Sequence, residues 1–258
     1  MIWVIAGTRD GREIAASLAD RFPDQVFVTV VTSYGKELSA HEGLEIRVGR
    51  FTEEDMVRCI GEKKIGLMID ASHPYAAVVS RTARSACRRA GISYLRYERP
   101  EIALPPYEKL YHTSCEEEAA RRAGQCGKRI LLTTGSKTLP VFVKAPELQG
   151  KEIWARVLPL SSVIKECEEL GMQARYIIAM QGPFSYAANR AMIHDLRADT
   201  VIMKNSGLIG GSDTKFQAAA DEGCHIIVID RPPAESGFPS ASSEEEVLKY
   251  TEDYYGIH

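Results

Sequence analysis

Short runs of aliphatic and β-branched residues alternate along the chain with segments in which apolar residues recur every three or four positions. Runs of the first kind are typical of buried strands, and segments of the second kind are typical of amphipathic helices. We predict strands at 2–6, 26–31, 44–48, 66–70, 92–96, 109–112, 129–133, 152–157, 175–180, 200–203 and 225–230. We predict helices at 10–21, 52–60 (with Thr52 as N-cap), 75–90, 116–123, 161–170, 186–196, 214–222 and 243–254. This alternation predicts an α/β fold with parallel sheets.

The alternation breaks at residues 97–108, where three prolines and no regular period predict a linker. Similar loops follow strands on both sides of it, such as ERP at 98–100 and DRP at 230–232. The likeness indicates either an internal repeat or two independent domains with similar loops. We predict two Rossmann-like domains, residues 1–100 and 101–258, with a ligand cleft between them. Ligands of such sheets bind beyond the carboxyl ends of the strands.

Composition narrows the class of protein. The chain has 258 residues, 45% hydrophobic and 26% charged, which is ordinary for a globular protein. Its net charge of -3 gives no global attraction for nucleic acid or an anionic membrane, so we predict neither partner. The chain lacks a signal-peptide pattern and an apolar run of about 18 residues. Its six cysteines form no metal-ligand spacing, so we predict reduced thiols, no metal site and a cytoplasmic location.

The segment AGTRDGR at 6–12 follows a predicted strand and opens a helix. Glycines there let a phosphate approach backbone N–H groups, and a helix N-terminus favours an anion. We therefore predict that a cofactor is bound by Gly7, Thr8, Arg9, Gly11 and Arg12. Arg9 stands where the second glycine of G-x-G-x-x-G would be, so a strand–helix turn without a ligand is the alternative.

Two more loops are candidates for cofactor binding. Ser33 follows the second strand, where NAD sites usually carry an acidic residue. Hydroxyls and a lysine there suit the 2′-phosphate of NADPH, or else this half does not hold the adenosine. Gly135 and Ser136 are the counterpart of the first glycine loop in the second half.

The segment DASHPYA at 70–76 places Ser72, His73 and Tyr75 at the carboxyl end of a strand. His73 can donate a proton or a hydrogen bond at neutral pH. The alternative is that Asp70 or Ser72 caps the next helix and that His73 is a structural donor.

Further candidates lie in the second half and beside the linker. Lys204 directly follows an apolar strand and calls for an anionic partner, so we predict anion or carboxylate binding with Asn205 and Ser206. A solvated loop is the alternative. Phe184 is predicted either to stack on a flat ring or to fill the core. Arg99 is predicted to be a donor in the cleft or a surface residue.

Taken together, these loops resemble the precorrin-6A reductase family of cobalamin biosynthesis. The matching segments follow the family's order: GTRDGR (7–12), DASHPYA (70–76), LRYERP (95–100), LTTG (132–135), QGPF (181–184), KNSG (204–207) and RP (231–232). The chain departs from the family at Ser72, where threonine is common, at Tyr75, where phenylalanine is common, and at Leu208, which interrupts a glycine pair.

The resemblance implies two Rossmann-like domains and a reductase that passes hydride from NADPH, or NADH, to a double bond of precorrin-6A or its cobalt form. A macrocycle fringed with carboxylates would explain basic residues on the loops. The implied substrate-binding residues are Ser72, His73, Tyr75, Arg99, Phe184, Lys204, Asn205 and Ser206. Candidates for the proton donor are His73, Ser136 and Tyr75. Handover of the tetrapyrrole to neighbouring pathway enzymes is a further expectation.

Two other functions are compatible with the same fold. One is a transferase that uses a nucleotide or S-adenosylmethionine. The other is a non-catalytic module that senses a dinucleotide. Only the reductase would oxidise NADPH in the presence of the macrocycle.

Overall fold

The structure is a computed structural model that describes residues 1–208, 210–232 and 237–256. Its strands are β1 (Ile2–Ile5), β2 (Val26–Val30), β3 (Leu44–Val48), β4 (Leu67–Asp70), β5 (Ser93–Tyr97), β6 (Leu110–Thr113), β7 (Arg129–Leu132), β8 (Glu152–Val157), β9 (Ile177–Ala179), β10 (Thr200–Lys204), β11 (His225–Ile229) and β12 (Ser240–Ala241). Its helices are α1 (Arg9–Arg21), α2 (Ser33–Leu38), α3 (Glu53–Lys63), α4 (Ala77–Ala90), α5 (Glu116–Gln125), α6 (Leu139–Lys144), α7 (Ser161–Glu169), α8 (Tyr186–Leu196), α9 (Ser212–Asp221) and α10 (Glu244–Tyr255).

The strands form two six-stranded sheets, each within its own compact unit. Unit 1 comprises residues 1–100 and the described residues from 232 onward, and unit 2 comprises residues 101–231. None of the helices in the described residues combines the length and the apolar character that crossing a membrane requires. The predicted α/β architecture with parallel sheets is therefore confirmed, and the predicted cleft stays a prediction.

The sheet of unit 1 has the order β3-β2-β1-β4-β5-β12, with every neighbouring pair parallel. Both faces of its central strands are buried. Ile2 and Val4 enter one hydrophobic cluster and Trp3 and Ile5 enter the other, as expected for a parallel sheet covered on both sides. Since β2 and β4 flank β1, the chain changes direction between β1 and β4. Ligands of doubly wound sheets bind at this point.

The sheet of unit 2 repeats this order as β9-β8-β7-β10-β11-β6, again all parallel. Its point of reversal lies between β7 and β10. Helices α8 and α9 cover one face, where Ile193 and Phe216 pack against Val201 and Met203. The loops after β7 and β10 in unit 2 thus correspond to the loops after β1 and β4 in unit 1.

The sixth strand of each sheet comes from the segment that follows the fifth strand of the other unit. Strand β6 follows β5 in the chain but pairs with β11, whereas β12 follows β11 but pairs with β5. The helices after β6 and β12 begin alike. The N–H and hydroxyl of Ser114 donate to the Glu118 carboxylate (2.7 and 2.8 Å), and those of Ser242 donate to Glu246 (2.6 and 3.1 Å). The likeness between the two halves thus extends to this last strand–helix pair.

The division of the chain differs from the predicted one. We expected residues 101–258 to form one domain, but the described residues from 232 onward belong to unit 1. Ser240 pairs with Arg96, and Val247 of α10 shares a core with Ile14 and Leu18 of α1. Sequence pattern could not show this, because the pairing joins residues more than a hundred positions apart and β12 has only two residues.

Most element predictions agree with the structure within a few residues, and Thr52 is the N-cap of α3 as predicted. The differences lie in short elements. Helices α2 and α6 and strand β12 were not expected, and the strand predicted at 175–180 is a 3₁₀ turn followed by the three residues of β9. Such elements are too short to show a period.

The placement of α10 can be tested with the two tryptophans, because Trp3 lies in unit 1 and Trp154 in unit 2. In a Trp154→Phe background, Trp3 alone reports unfolding. We expect Val247→Ala to lower the free energy of unfolding that Trp3 reports by about 2 kcal/mol, because it removes buried methyl groups. Urea titration measures the shift, with the exposed Lys249→Ala as control. Identical curves for the two variants would contradict the placement.

Candidate active site

The first loop of unit 1 combines an open backbone with a fixed helix start. Gly7 is exposed, and a Cβ added there would meet no atom of a described residue within 4 Å, its two chain neighbours aside. The Thr8 hydroxyl caps α1 by accepting from the N–H of Gly11 (3.1 Å) and donates to the carbonyl of Ala71 (3.3 Å). A Cβ on Gly11 would lie 2.9 Å from that same carbonyl. Gly7 is thus open to a ligand, while Thr8 and Gly11 hold α1 against the loop after β4.

The two arginines of this loop are placed differently. Arg9 is exposed and pairs with Glu13 one turn along the helix, with Nε 2.7 Å from the carboxylate. Arg12 is half-buried and has no acidic partner among the described residues. An exposed pair of this kind adds little stability, so the side chain of Arg9 remains able to reach an anion.

Arg99 lies in a buried ion pair. Its Nε and Nη2 atoms contact the two carboxylate oxygens of Asp10 at 2.8 and 2.9 Å, and the side chains are only 8% and 4% exposed. Because Asp10 lies in the first turn of α1, this bidentate pair fixes the start of the helix to the end of β5. The structure thus gives Arg99 a positioning role, and contact with a substrate stays a prediction.

A second buried network holds the loop after β4. Asp70 accepts from the Tyr94 hydroxyl (2.8 Å) and from the N–H of Ser72 (3.0 Å), and Arg96 Nη1 lies 2.9 Å from its carboxylate. Arg96 also donates to the Ser72 hydroxyl (3.1 Å). Burial opposes ionisation of Asp70, but the Arg96 guanidinium and these hydrogen bonds hold its pKa below the ordinary value. Ser72, predicted to bind substrate, is buried in this network.

His73 and Tyr75 are half-buried on the loop that this network supports. The ring Nδ1 of His73 accepts from the backbone N–H of Tyr75 (3.3 Å), and the two rings lie 5.6 Å apart. An accepting Nδ1 favours the neutral ring with its hydrogen on Nε2. His73 is thus arranged as a hydrogen-bond donor through Nε2, and proton transfer from it stays a prediction that requires the bond to Nδ1 to break. The alternative of capping by Asp70 or Ser72 is wrong, since Ala76 is the N-cap of α4.

Two other predicted cofactor contacts lie on open turns. Gly135 has φ +87°, and a Cβ there would meet nothing within 4 Å. Thr138 donates to the Gly135 carbonyl (3.1 Å) and fixes the turn, while Ser136 is half-buried at the start of a 3₁₀ turn. Ser33 is exposed at the start of α2. Binding by these three residues stays a prediction.

The loop after β10 is braced within unit 2. Lys204 finds its anionic partner inside the chain, with Nζ 3.0 Å from Glu116 of α5. The Asn205 amide donates to the carbonyl of Ile102 (2.9 Å), and the N–H of Ser206 donates to the Ser212 hydroxyl (2.9 Å). The half-buried Glu116 is thus the anionic partner that was expected for Lys204, and binding of a substrate carboxylate by this loop stays a prediction.

Phe184 leads to a residue that the sequence did not single out. The guanidinium of Arg156, near the end of β8, lies 4.2 Å from the centre of the Phe184 ring. Arg156 donates to the Asn189 side chain (2.8 Å) and is only 9% exposed. Burial lowers the pKa of Arg156 to about 10, so it remains charged at neutral pH. The sequence could have indicated this buried arginine, because Arg156 lies two residues after Trp154 and therefore on the same inward face of the strand.

Lys215 on α9 is the second charged residue that was missed. It is 7% exposed and has no acidic partner among the described residues. Burial and then the nearby Arg156 lower its pKa from 10.5 to about 7. The sequence could have indicated that Lys215 is buried, because it shares the helical spacing of buried positions with Ser212, Phe216 and Ala219.

Large apolar side chains are exposed at the carboxyl ends of several strands. Leu158, Met180 and Leu208 follow β8, β9 and β10, with exposures of 44%, 48% and 67%. Val31 follows β2 and is 49% exposed. Exposed apolar residues that gather at the ligand-binding edge of a sheet are suited to contact a flat, largely apolar ligand.

The comparisons with known proteins agree with this arrangement. Residues 1–252 match the family model described as Precorrin-6x reductase CbiJ/CobK. The chain is 37% identical over 248 residues to the cobalt-precorrin-6A reductase of Priestia megaterium, covering 96% of each chain. It is 40% identical over 232 residues to that of Salmonella typhimurium, covering 90% of this chain and 87% of that one. The chain belongs to the precorrin-6x reductase family.

A solved structure of a CobK precorrin-6A reductase has the same fold. It matches with a TM-score of 0.81 at 22% identity, covering 98% of this chain and 96% of that one. The predicted family and fold class are both confirmed. Because the match covers nearly the whole chain, the exchange of sixth strands lies within the region that the two members of the precorrin-6x reductase family share.

The buried pair in unit 1 can be tested with Asp70→Asn, which removes the buried partner of Arg96 at 2.9 Å and leaves only the half-exposed Glu98 at 3.9 Å. We expect a loss of about 3–5 kcal/mol in the free energy of unfolding at neutral pH. Since the pKa of Asp70 is lowered on folding, its ionised form stabilises the wild type above the ordinary pKa. That contribution disappears on acidification through the folded pKa. Urea titrations from neutral to acidic pH measure both effects. A variant as stable as the exposed control Glu54→Gln would contradict the role of the pair.

The lowered pKa of Lys215 also predicts a stability that rises with pH, but in a higher pH range than for Asp70. Below about pH 7 the folded protein holds a buried charge that opposes folding, and this cost declines as the pH rises from about 7 to 10.5. We therefore expect Lys215→Met to raise the melting temperature most at acidic pH, with a smaller gain in alkaline buffer. Thermal unfolding across this range measures the difference, with exposed Lys165→Met as control. A variant less stable than the wild type at acidic pH would show that the charge is stabilising.

Proposed function

We propose that the protein reduces one double bond of the cobalt-precorrin-6A macrocycle with hydride from NADPH, giving the dihydro product. The observation that carries this proposal is the 37% identity to a cobalt-precorrin-6A reductase over 96% of both chains. The Salmonella typhimurium relative bears the same name, which supports the cobalt form as substrate. A transferase or a sensing module has no comparable support.

The first loop of unit 1 has the features that a dinucleotide phosphate needs. Gly7 leaves the backbone open, and the thirteen residues of α1 give a helix N-terminus that favours an anion. Thr8 fixes this start, while Arg9 and Arg12 are near enough in sequence to add charged donors. When bound, the reduced nicotinamide would supply the hydride. Gly135 offers a second open turn, but the helix after it, α6, has only six residues.

The end of β2 supports NADPH over NADH. Thr32 and Ser33 are exposed there, and the strand end lacks the acidic side chain that binds an unphosphorylated ribose. An acid at this position would repel a 2′-phosphate, whereas hydroxyls can donate to it. We therefore infer that Ser33 contacts the phosphate-bearing ribose.

The macrocycle needs both apolar and cationic contacts. Exposed Leu158, Met180 and Leu208 at the carboxyl edge of unit 2 offer the apolar contacts. His73 would orient the reacting face by donating a hydrogen bond from Nε2. A cytoplasmic location and handover of the product to a neighbouring enzyme stay predictions.

The reaction is tested by following NADPH absorbance in the presence of cobalt-precorrin-6A. We expect oxidation that depends on the macrocycle, and a lower kcat/KM with NADH or with metal-free precorrin-6A. Reactions without a macrocycle provide the baseline. No oxidation with either macrocycle, by a folded protein, would reject the proposal.

The role of His73 can be separated into hydrogen bonding and proton transfer. A glutamine amide can replace the Nε2 donor but cannot transfer a proton, and phenylalanine can do neither. If His73 donates a hydrogen bond, His73→Phe should lower kcat/KM roughly tenfold while His73→Gln stays near the wild type. If His73 transfers the proton, both variants should lose roughly 10² or more in kcat. Full activity of His73→Phe would exclude both roles.

A further inference from the structure

Two buried basic residues of unit 2, Arg156 and Lys215, have no acid among the described residues to neutralise them. Lys215 is 7% exposed and Arg156 is 9% exposed, and neither forms an ion pair within the described residues. Buried charges in proteins are normally paired, because removing a charge from water is costly. Two unpaired charges of the same sign are more costly still, so their retention calls for a reason outside the fold.

The acids of the two neighbouring helices are engaged elsewhere. Asp213, on the same helix as Lys215, is exposed. Asp221 accepts from Tyr186 (2.7 Å), and Glu222 pairs with Arg190 at 2.7 Å. Lys204 and Glu116 pair with each other. Among the described residues, no carboxylate forms an ion pair with Arg156 or Lys215.

The groups around the cations form a fixed frame. Asn189 accepts from Arg156 and is itself held by donating to the carbonyls of Phe184 (3.2 Å) and Ser185 (3.0 Å). Thr214, one residue before Lys215, donates to the same Phe184 carbonyl (3.1 Å). The frame thus joins β8, α8 and α9 through neutral groups and leaves the positive charge uncompensated.

Both helices of this frame begin beside it. Ser185 is the N-cap of α8 and Gly211 that of α9, and the N-terminus of a helix favours an anion. The loop that holds Phe184 is otherwise exposed at residues 180–183 and 185. Two buried cations and two helix N-termini therefore favour the same kind of ligand.

We propose that Arg156 and Lys215 bind one oxyanion group of a reactant, a carboxylate or a phosphate, and that Lys215 takes up a proton from solvent as this group binds. The identity of the ligand rests on the proposed function, because the macrocycle carries carboxylates and the dinucleotide carries phosphates. Arg156 provides the permanent charge and a planar pair of donors. At slightly alkaline pH, Lys215 provides the second charge only when the anion is present.

The proton step follows from the charged groups that face Lys215. Among the described residues, Arg156 of β8 is the charged neighbour that acts on Lys215. The side chains that contact Arg156 from α8 and its preceding loop, Asn189, Met192 and Phe184, are uncharged. Burial and Arg156 lower the pKa of Lys215 to about 7, so slightly alkaline conditions leave the amine largely neutral. An anion that binds both groups favours the ammonium form, so one proton is taken up and no other bond is made or broken.

Isothermal titration calorimetry at roughly pH 8, in buffers of different ionisation enthalpy, tests both parts. The probes are NADPH and uroporphyrin, a tetrapyrrole rimmed with carboxylates. We expect the wild type to take up protons on binding one of them. Lys215→Met should weaken that probe about tenfold or more and abolish the uptake, because it removes a charge-assisted hydrogen bond. Lys215→Arg should keep the affinity without proton uptake, and Lys165→Met should match the wild type.

The outcomes separate the sources of the anion. Weaker binding of uroporphyrin alone identifies a carboxylate, and weaker binding of NADPH alone identifies a phosphate. Unchanged binding of both probes by a folded Lys215→Met variant overturns the site, as does a wild type that binds neither. Binding without proton uptake by the wild type overturns the proton step. Because no turnover is needed, a wild type that binds as expected but does not oxidise NADPH would reject only the proposed function.

Discussion

Two buried ion pairs fix the loops at the carboxyl edge of the sheet in unit 1. Asp10 and Arg99 join the first turn of α1 to the end of β5, while Asp70 and Arg96 hold the loop after β4. These pairs lie beside the point where the sheet reverses its order. Charges buried this deeply stabilise a loop only while both partners are ionised. The open backbone at Gly7 and the orientation of His73 therefore depend on side chains that need not touch a ligand.

The second unit has the same sheet order but a different distribution of charge. Lys204 is paired with Glu116, whereas Arg156 and Lys215 are buried without an acid. The two buried pairs of unit 1 are thus complete within the unit, whereas unit 2 keeps the permanent charge of Arg156 and the amine of Lys215, whose charged form an anionic ligand would favour. In a reductase that binds two anionic reactants, basic residues without an internal acid could bind one of the anions. Uncompensated charge lowers the stability of the free protein, and the bound reactant would recover that loss.

The local pattern of apolar and polar residues was sufficient to predict most strands and helices of the fold. Strands and helices with clear periods, such as β8 and α8, were predicted at their observed bounds, and the glycine and polar loops were expected at the strand ends. The pattern could not show that β12 joins β5, because strand pairing is a long-range choice that a two-residue segment does not encode. Motif reading found Arg99 and Lys204 but not their partners, since Asp10 and Glu116 are distant in sequence. Arg156 and Lys215 were not predicted because each lies inside a regular element, β8 and α9, where the periodic pattern marks buried positions and not their charge.

The central claim is that hydride passes from a reduced nicotinamide to the tetrapyrrole on this protein. The most direct test uses NADPH deuterated at the hydride-donating carbon, with cobalt-precorrin-6A as acceptor and mass spectrometry of the macrocycle as the measurement. The account predicts a dihydro product that carries deuterium from the nicotinamide on carbon. A product without deuterium, or a macrocycle left unreduced by the folded protein, would contradict it.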